Sequence, residues 1–163
     1  MTAASSHKCL TASAAGLLLV ALAANAQTLP PNPLARGGLV QATTLSGTWN
    51  GANIEQRSHC NSPQNEGFHG TYAEYVVGLD PLHSFMTITE SAVNGLRCSY
   101  DGTYSDTPTL AWSGTLACSD GKRGTFEARS FLVTPNEMSI RLAIKLNGGE
   151  VCDVDAILGG SRF

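Results

Sequence analysis

Few residues in this chain are of types suited to chemistry, and they are histidines and carboxylates. His59 and His69 lie near the two ends of the segment 58–70, whose sequence is SHCNSPQNEGFHG, and Glu66 lies between them. Imidazole nitrogens and carboxylate oxygens are ligands that zinc takes in proteins. No helical or strand spacing brings these three side chains together, so we expect ordinary loop residues here and no metal site.

Asp153 and Asp155 are two residues apart, which places both carboxylates on one face of a strand, as a general acid–base pair requires. The same spacing is typical of a solvated strand face, and we favour that interpretation. The sequence contains no Gly-x-Ser-x-Gly elbow, no His-Glu-x-x-His motif and no phosphate-binding loop. We therefore expect a protein that is not an enzyme, with no catalytic residue and no cofactor.

Four aromatic residues are better candidates for a binding site: Trp49, Tyr100, Tyr104 and Trp112. Each side chain offers apolar surface together with one polar atom, which suits an amphipathic ligand. They form a site only if the fold brings them into one interior, where they either line a cavity or simply fill it.

The elements that must position these residues are strands. The segment NEMSIRLAIKLN alternates apolar and polar residues with a period of two, which is typical of a strand with one buried face. Seven other segments show weaker alternation, separated by turn residues such as Asn94-Gly95. The predicted strands are 45–56, 71–79, 83–93, 96–105, 110–118, 124–133, 137–146 and 151–158.

Short connections make successive strands antiparallel neighbours, so the chain is predicted to meander. A meander of eight strands leaves two exposed edges unless it closes on itself. We therefore predict an all-β fold, an up-and-down antiparallel β-barrel of about eight strands. The interior of such a barrel is either filled with side chains or holds one small ligand.

A Gly-Thr pair followed by an aromatic residue or leucine recurs five times, with the glycine at 47, 70, 102, 114 and 124. Threonine and the residue after it point to opposite faces of a strand. We expect the threonine to face solvent and the larger side chain to enter the core. The glycine before them would permit the bend or close approach that curved strands need.

The hairpin centred on Pro108 predicts a disulfide. If its register is symmetric, Tyr104 faces Trp112 and Gly102 faces Gly114, and Cys98 then faces Cys118 on the same side of the sheet. A Cys98–Cys118 bridge leaves Cys60 and Cys152 for a second one, which would tie the first strand to the last. The fifth cysteine, Cys9, lies in the first 26 residues, which we interpret below as a signal peptide. The remaining four allow three pairings, so the other two remain open at this stage.

The start of the chain is typical of an exported protein. Residues 1–26 end in Ala24-Asn25-Ala26, a small-x-small cleavage site after an apolar run too short for a membrane span, so we interpret them as a secretory signal peptide. A Pro- and Gly-rich flexible leader is predicted at 27–44 and one domain at 45–163. We expect a periplasmic or secreted protein with no membrane anchor after cleavage.

The charge balance makes nucleic acid a poor partner. Ten Lys and Arg stand against 13 Asp and Glu, for a net charge of −3, and no basic stripe is present. We expect instead a small amphipathic molecule or an extracytoplasmic protein.

Gly47-Thr48-Trp49 at the start of an eight-strand meander resembles the lipocalin and avidin superfamily of calycin barrels. In that superfamily, a Gly-x-Trp on the first strand closes one end of the barrel, and in lipocalins an arginine after the last strand packs over the tryptophan. The resemblance implies this role for Arg162. The chain also resembles exported bacterial β-proteins of unknown function.

Two functions follow as hypotheses. The first is a non-enzymatic binding protein that holds a small apolar or amphipathic molecule among Trp49, Tyr100, Tyr104 and Trp112. The alternative is a protein-interaction or enzyme-inhibitor module that acts through loop 58–70, since long loops on rigid scaffolds often carry function.

Overall fold

In the computed structural model, residues 41–106 and 109–162 are described. The predicted signal peptide, and the predicted leader as far as residue 40, lie outside the described residues. The described part of the chain contains no helix long and apolar enough to cross a membrane.

All eight predicted strands are present and form one closed antiparallel barrel, as the sequence predicts. Each strand pairs with the next along the chain, and the first also pairs with the last. The strands are β1 (Gly47–Ser58), β2 (Gly67–Asp80), β3 (Phe85–Ala92), β4 (Arg97–Ser105), β5 (Ala111–Cys118), β6 (Arg123–Val133), β7 (Glu137–Gly148) and β8 (Glu150–Ser161).

The connection between β1 and β2 is shorter than the predicted loop 58–70, and that prediction is wrong at both ends. β1 includes Ser58, and β2 already begins at Gly67. The polar, glycine-rich segment 67–70 pairs with β1, with Gly70 opposite Ile54. The remaining connection, 59–66, contains a single 3₁₀ turn at Pro63–Asn65.

The packed structure begins before the predicted domain boundary at Leu45. A 3₁₀ turn spans Ala42–Thr44, and Ala42 is fully buried in the core. Its backbone nitrogen donates a hydrogen bond of 2.9 Å to the Asp106 carboxylate. The end of the predicted leader therefore covers one end of the barrel.

Trp49 closes that same end of the barrel. Its side chain is fully buried, and the indole nitrogen donates to the Leu45 carbonyl at 2.8 Å. The guanidinium of Arg162 lies 4.2 Å from the centre of the indole ring, within the range of a cation–π contact. Arg162 also donates to the carbonyls of Ser46 and Thr44. The contact between Trp49 and Arg162 that the resemblance implies is therefore confirmed.

The predicted hairpin register is confirmed, with Gly102 opposite Gly114 and Cys98 opposite Cys118. The cysteines form the predicted bridges, Cys98–Cys118 and Cys60–Cys152. The second bridge joins the end of β1 to the start of β8, at the seam where the barrel closes.

The expected orientation of the Gly-Thr-aromatic triplet is wrong at one of its five places. Trp49, Leu116 and Phe126 are buried and Tyr104 is half-buried, but Tyr72 is 72 % exposed. In β2 the buried residues are at odd positions, 73, 75 and 77, so Tyr72 faces outward and the threonine before it faces inward. The phase of the whole strand overrides the local motif.

Gly102 and Gly114 allow β4 and β5 to approach closely. A Cβ atom on Gly102 would lie 2.1 Å from the Ser113 carbonyl oxygen, and one on Gly114 would lie 2.0 Å from that of Asp101. Both distances are far inside van der Waals contact, and backbone cannot move aside as a flexible side chain can.

We therefore expect Gly102→Ala to lower the free energy of unfolding by about 1–3 kcal/mol, the usual range for overpacking. Gly78→Ala is the matched control, because nothing lies within 4 Å of a Cβ at that exposed strand position. It should leave stability unchanged or raise it by up to about 1 kcal/mol. Urea unfolding measures both, and equal effects of the two substitutions would contradict the close approach of the strands.

Candidate functional site

A cavity of about 610 Å³ opens at the end of the barrel opposite Trp49. The turns β3–β4 and β5–β6 form part of its rim, through Asn94 and Asp120 among others. The Cys98–Cys118 bridge also lies in its lining. The barrel is thus closed at one end and open at the other.

Polar residues of β1 point into this cavity. Asn53, Glu55 and Arg57 follow Trp49 at even spacing, so the alternation of the strand puts them on the same inner face. Asn53 is 5 % exposed, whereas its neighbour Ile54 is 47 % exposed on the outer face. The usual order of apolar inside and polar outside is inverted in this half of the strand.

Glu90 on β3 is the most deeply buried charged residue of the cavity, at 2 % exposed. The Asn53 side-chain nitrogen donates to its two carboxylate oxygens at 3.1 and 3.2 Å. The Tyr100 hydroxyl donates to one of them at 3.0 Å. The same nitrogen of Asn53 also donates to Glu55 at 3.1 Å, which connects the two acids.

The two cations near the rim are held by other acids. Arg57 donates to Glu55 at 2.8 Å and forms an ion pair of 3.2 Å with Glu150. The Lys122 ammonium pairs with Asp120 and lies 3.7 Å from Glu150. Within the described residues, no Arg, Lys or His forms an ion pair with Glu90.

Burial raises the pKa of Glu90 above its ordinary value, because the charged form loses water, and the hydrogen bonds from Asn53 and Tyr100 offset this in part. Burial likewise raises the pKa of Tyr75 and of Tyr100 well above the usual range, and the charge of Glu90 raises both further. Ionisation of Glu90 thus makes ionisation of Tyr75 or Tyr100 less favourable, so the site disfavours a second negative charge.

Two buried polar atoms near Glu90 have no hydrogen-bond partner among the described residues: the side-chain oxygen of Asn53, in the cavity lining, and the hydroxyl of Tyr75, behind the lining. Tyr75 is fully buried and is the cross-strand neighbour of Glu90. Leaving such groups unpaired is unfavourable, so unpaired polar atoms in a native structure often mark a position where a ligand or water binds.

The opposite wall of the cavity is apolar. It is formed by Leu116 on β5, Ile144 and Leu146 on β7, and Val154 on β8. The deep polar groups come from β1 to β4. The cavity is therefore divided lengthwise into a hydrogen-bonding side and a hydrocarbon side.

Only one of the four aromatic residues predicted to bind a ligand lies at this cavity, and it is Tyr100. Trp49 is sealed in the closed end of the barrel. Tyr104 and Trp112 border a separate hollow of about 370 Å³, where the Trp112 ring packs 4.3 Å from that of Phe126. The structure does not bring the four into one site.

The histidines and carboxylates of the connection 59–66 and its flanks have separate partners. His59 lies 3.2 Å from Asp153, and His69 lies 3.0 Å from the Asn65 carbonyl oxygen. Glu66 accepts a hydrogen bond from the Cys60 backbone nitrogen. These contacts do not assemble a metal centre.

Asp153 and Asp155 do not act as a pair either. Asp155 forms an ion pair with Arg141, whose guanidinium lowers the pKa of that carboxyl. Asp153 contacts His59, so each of the two carboxylates has a partner of its own.

Sequence reasoning missed Asn53, Glu55, Arg57 and Glu90. A signal for them exists in the phase of the strands, since residues in step with Trp49 on β1 share its inner face. Glu90 is in step with Met86 and Ile88, both fully buried, on β3. An acid in phase with a buried apolar face predicts a buried polar site.

No family model matches the chain, and no curated protein matches it. Two solved structures are similar to it, each with a TM-score of 0.43. One is a de novo designed fluorescence-activating β-barrel, 10 % identical, covering 74 % of this chain and 96 % of that one. The other is a protein of unknown function from the DUF3598 family of Nostoc punctiforme, 12 % identical, covering 82 % of this chain and 53 % of that one. This chain thus spans about half the length of the second protein, and similarity at this level indicates nothing about what it binds.

Because Glu90 is buried, we expect the free energy of unfolding to depend on pH. Because the pKa of Glu90 is raised above 4.5, the folded state binds its proton more tightly than the unfolded state. This contribution to stability is fully present below a pH of about 4.5 and is lost as the pH rises through the raised pKa. Glu90→Gln removes the titrating group, so its free energy of unfolding should fall less with rising pH than that of the wild type.

Urea unfolding at a series of pH values measures this difference. Glu74→Gln, at an exposed position of β2, is the control and should follow the wild type. Asp120 and Asp155, whose pKa values are lowered, are present in both the wild type and Glu90→Gln, so their titration cancels in the comparison. Parallel curves for wild type and Glu90→Gln would contradict a buried, proton-binding Glu90.

Proposed function

We propose that this protein is a binding protein that takes a small amphipathic molecule into the open end of its barrel. The observation that carries the proposal is the division of the cavity, with Glu90, Asn53 and Tyr100 on one side and Leu116 and Ile144 on the other. A ligand with one polar end and one hydrocarbon end matches both sides at once.

The size and position of the cavity support this proposal. Its volume of about 610 Å³ lies within the range of roughly 300–1,000 Å³ common for small-molecule sites. Trp49 and Arg162 close the far end, so a ligand would enter from one side only. The cavity is lined by strands, which hold polar groups more rigidly than loops do.

We further propose that the protein acts outside the cytoplasm, in the periplasm or the medium. The predicted signal peptide and the two disulfides support this location, because disulfides form and persist in oxidising compartments. The contact of Arg162 with Trp49 supports a relationship to lipocalin-like barrels. The proposed ligand site would then lie inside the barrel, at the end opposite this contact.

The alternative, an interaction module acting through residues 58–70, has less support. The connection is tied down by the Cys60–Cys152 bridge and by hydrogen bonds between Asn61 and Val151. It is also shorter than expected, since its last four residues belong to β2.

Filling the cavity tests the proposal. Thr71 points into the cavity from β2, so Thr71→Trp should occupy part of its volume. Thr115→Trp makes the same change on the exposed outer face of β5 and is the matched control. We expect Nile red, a neutral amphipathic dye, to bind the wild type and the control with similar affinity. Its affinity for Thr71→Trp should be lower by at least about tenfold.

Fluorescence titration measures the dye, and native mass spectrometry of protein from the exported fraction measures any ligand that co-purifies. An adduct of the wild type that disappears on denaturation and is absent from Thr71→Trp supports the proposal. If Thr71→Trp does not fold, Leu96→Trp at the cavity rim replaces it. Equal dye binding by the cavity-filled and control variants would show that the cavity is not the site.

A further inference from the structure

We infer that the ligand of this cavity carries a protonated amine, whose ammonium group docks against Glu90 between Asn53 and Tyr100. This inference rests on the proposed function and narrows its ligand class. Four observations support it: a buried acid without a cation, an excess of acids in the cavity, two unpaired acceptor atoms, and an apolar wall facing them.

The first observation is that Glu90 has no positive partner within residues 41–106 and 109–162. Buried carboxylates in proteins are usually paired with a cation or neutralised, because isolated burial of a charge is very unfavourable. In the part of the chain that the structure describes, Glu90 is held only by neutral donors, the Asn53 amide and the Tyr100 hydroxyl. A ligand cation would supply the charge that these donors do not.

The second observation is the charge of the cavity as a whole. Three carboxylates line it, those of Glu55, Glu90 and Asp120, against the two cations Arg57 and Lys122. Glu150, outside the lining, lies within ion-pair distance of both cations. Arg57 and Lys122 are already engaged by the acids at the rim. Once these pairs are made, Glu90 is the acid left at the deep end, so the field favours a cation there and disfavours an anion.

The third observation concerns hydrogen-bonding capacity. The Asn53 side-chain oxygen is a pure acceptor, the Tyr75 hydroxyl oxygen can accept, and both are unpaired and buried beside Glu90. A primary ammonium has three N–H donors and no acceptor, so it matches a set of acceptors around one acid. The ring of Tyr100, which lines the cavity, adds aromatic surface of the kind that ammonium groups favour.

The fourth observation argues for an organic cation over a bare metal ion. Hard cations such as Ca²⁺ take six to eight oxygen ligands. Leu116, Ile144 and Val154 face the acid across the cavity and offer none. Those side chains instead suit the hydrocarbon part of an alkylamine.

Docking of an ammonium group against Glu90 is coupled to the titration of its carboxyl. The raised pKa lets the carboxyl keep its proton to a higher pH than an ordinary glutamate does, whereas a cation beside it favours the ionised form. At a pH where the carboxyl is still partly protonated, binding therefore releases the carboxyl proton to solvent while the ammonium keeps its own three. The other charged or titratable groups near this point are Glu55 and Arg57 on β1, Tyr75 and His69 on β2, Tyr100 on β4, and Lys122 and Asp120 near the start of β6. Glu150 on β8 lies behind Arg57 and Lys122, as their ion-pair partner.

The test compares two probes that differ only in the head group, hexylammonium and 1-hexanol, by isothermal titration calorimetry. We expect the wild type to bind hexylammonium about tenfold more tightly than the alcohol or better, as hydrogen bonds to charged groups contribute. Repeating the titration at the measured midpoint pH of Glu90, in buffers of different ionisation heat, should show proton release on binding of the ammonium only. Calcium and potassium chloride, titrated alone, should give no heat of binding.

Glu90→Gln should abolish both the preference for hexylammonium and the proton release, while binding of 1-hexanol stays within about twofold, a difference of ~0.4 kcal/mol. Glu74→Gln, at the exposed position on β2, should behave as the wild type. A stably folded Glu90→Gln is expected, since glutamine is close in shape and removes a buried charge.

The outcomes separate this inference from the proposed function. Equal affinity for the two probes, or a preference for the ammonium that survives in Glu90→Gln, would overturn the amine. If Nile red still binds in a manner sensitive to Thr71→Trp, the cavity remains a ligand site of another class. Binding of calcium that depends on Glu90 would overturn the inference in favour of a metal.

Discussion

The pairing of β1 with β8 is the constraint on which the rest of this structure depends. It closes the sheet, removes both edges, and fixes which residues of every strand face the interior. The Cys60–Cys152 bridge connects the same two strands at the open end of the barrel. Once the seam is set, the period of two along β1 places Trp49 at one end of the interior and Arg57 at the other, with no further freedom.

The two ends of the interior then differ in character because β1 itself changes along its length. Near its start, Trp49 is covered by Arg162 and by the buried turn that contains Ala42, and this end is packed. Near its end, the inward residues are polar and are connected to Glu90 through Asn53. A polar, incompletely satisfied interior disfavours tight packing and stability, and such local conflicts are expected at functional sites. The proposed function and the inferred amine both explain why this conflict is concentrated around one acid.

Much of the fold could be predicted from the sequence, and the site could not. Strand number and hairpin register follow from local alternation and turn residues, and that register pairs Cys98 with Cys118. The Cys60–Cys152 bridge follows only by elimination once the first pair is accepted. Tyr72 was misplaced because a three-residue motif does not determine the phase of a strand, which long-range pairing sets. Glu90 was missed for a related reason. A single acid in a strand is ordinarily assigned to the solvent-exposed face, and only its position two residues after the buried Ile88 indicates that it faces inward. The convergence of Asn53, Tyr75 and Glu90 depends on barrel closure, which local patterns do not describe.

The proposed ligand site depends on Glu90, a buried acid that forms no ion pair with any Arg, Lys or His of the described residues. The most direct measurement is the titration of its side-chain carboxyl carbon by ¹³C NMR in ligand-free protein, assigned with the Glu90→Gln variant. We expect a midpoint above the ordinary value of 4.5, and a lower midpoint once hexylammonium is added. A midpoint at or below 4.5 in the free protein would contradict a buried Glu90 that awaits a cation, because the carboxylate would then be stabilised without any ligand.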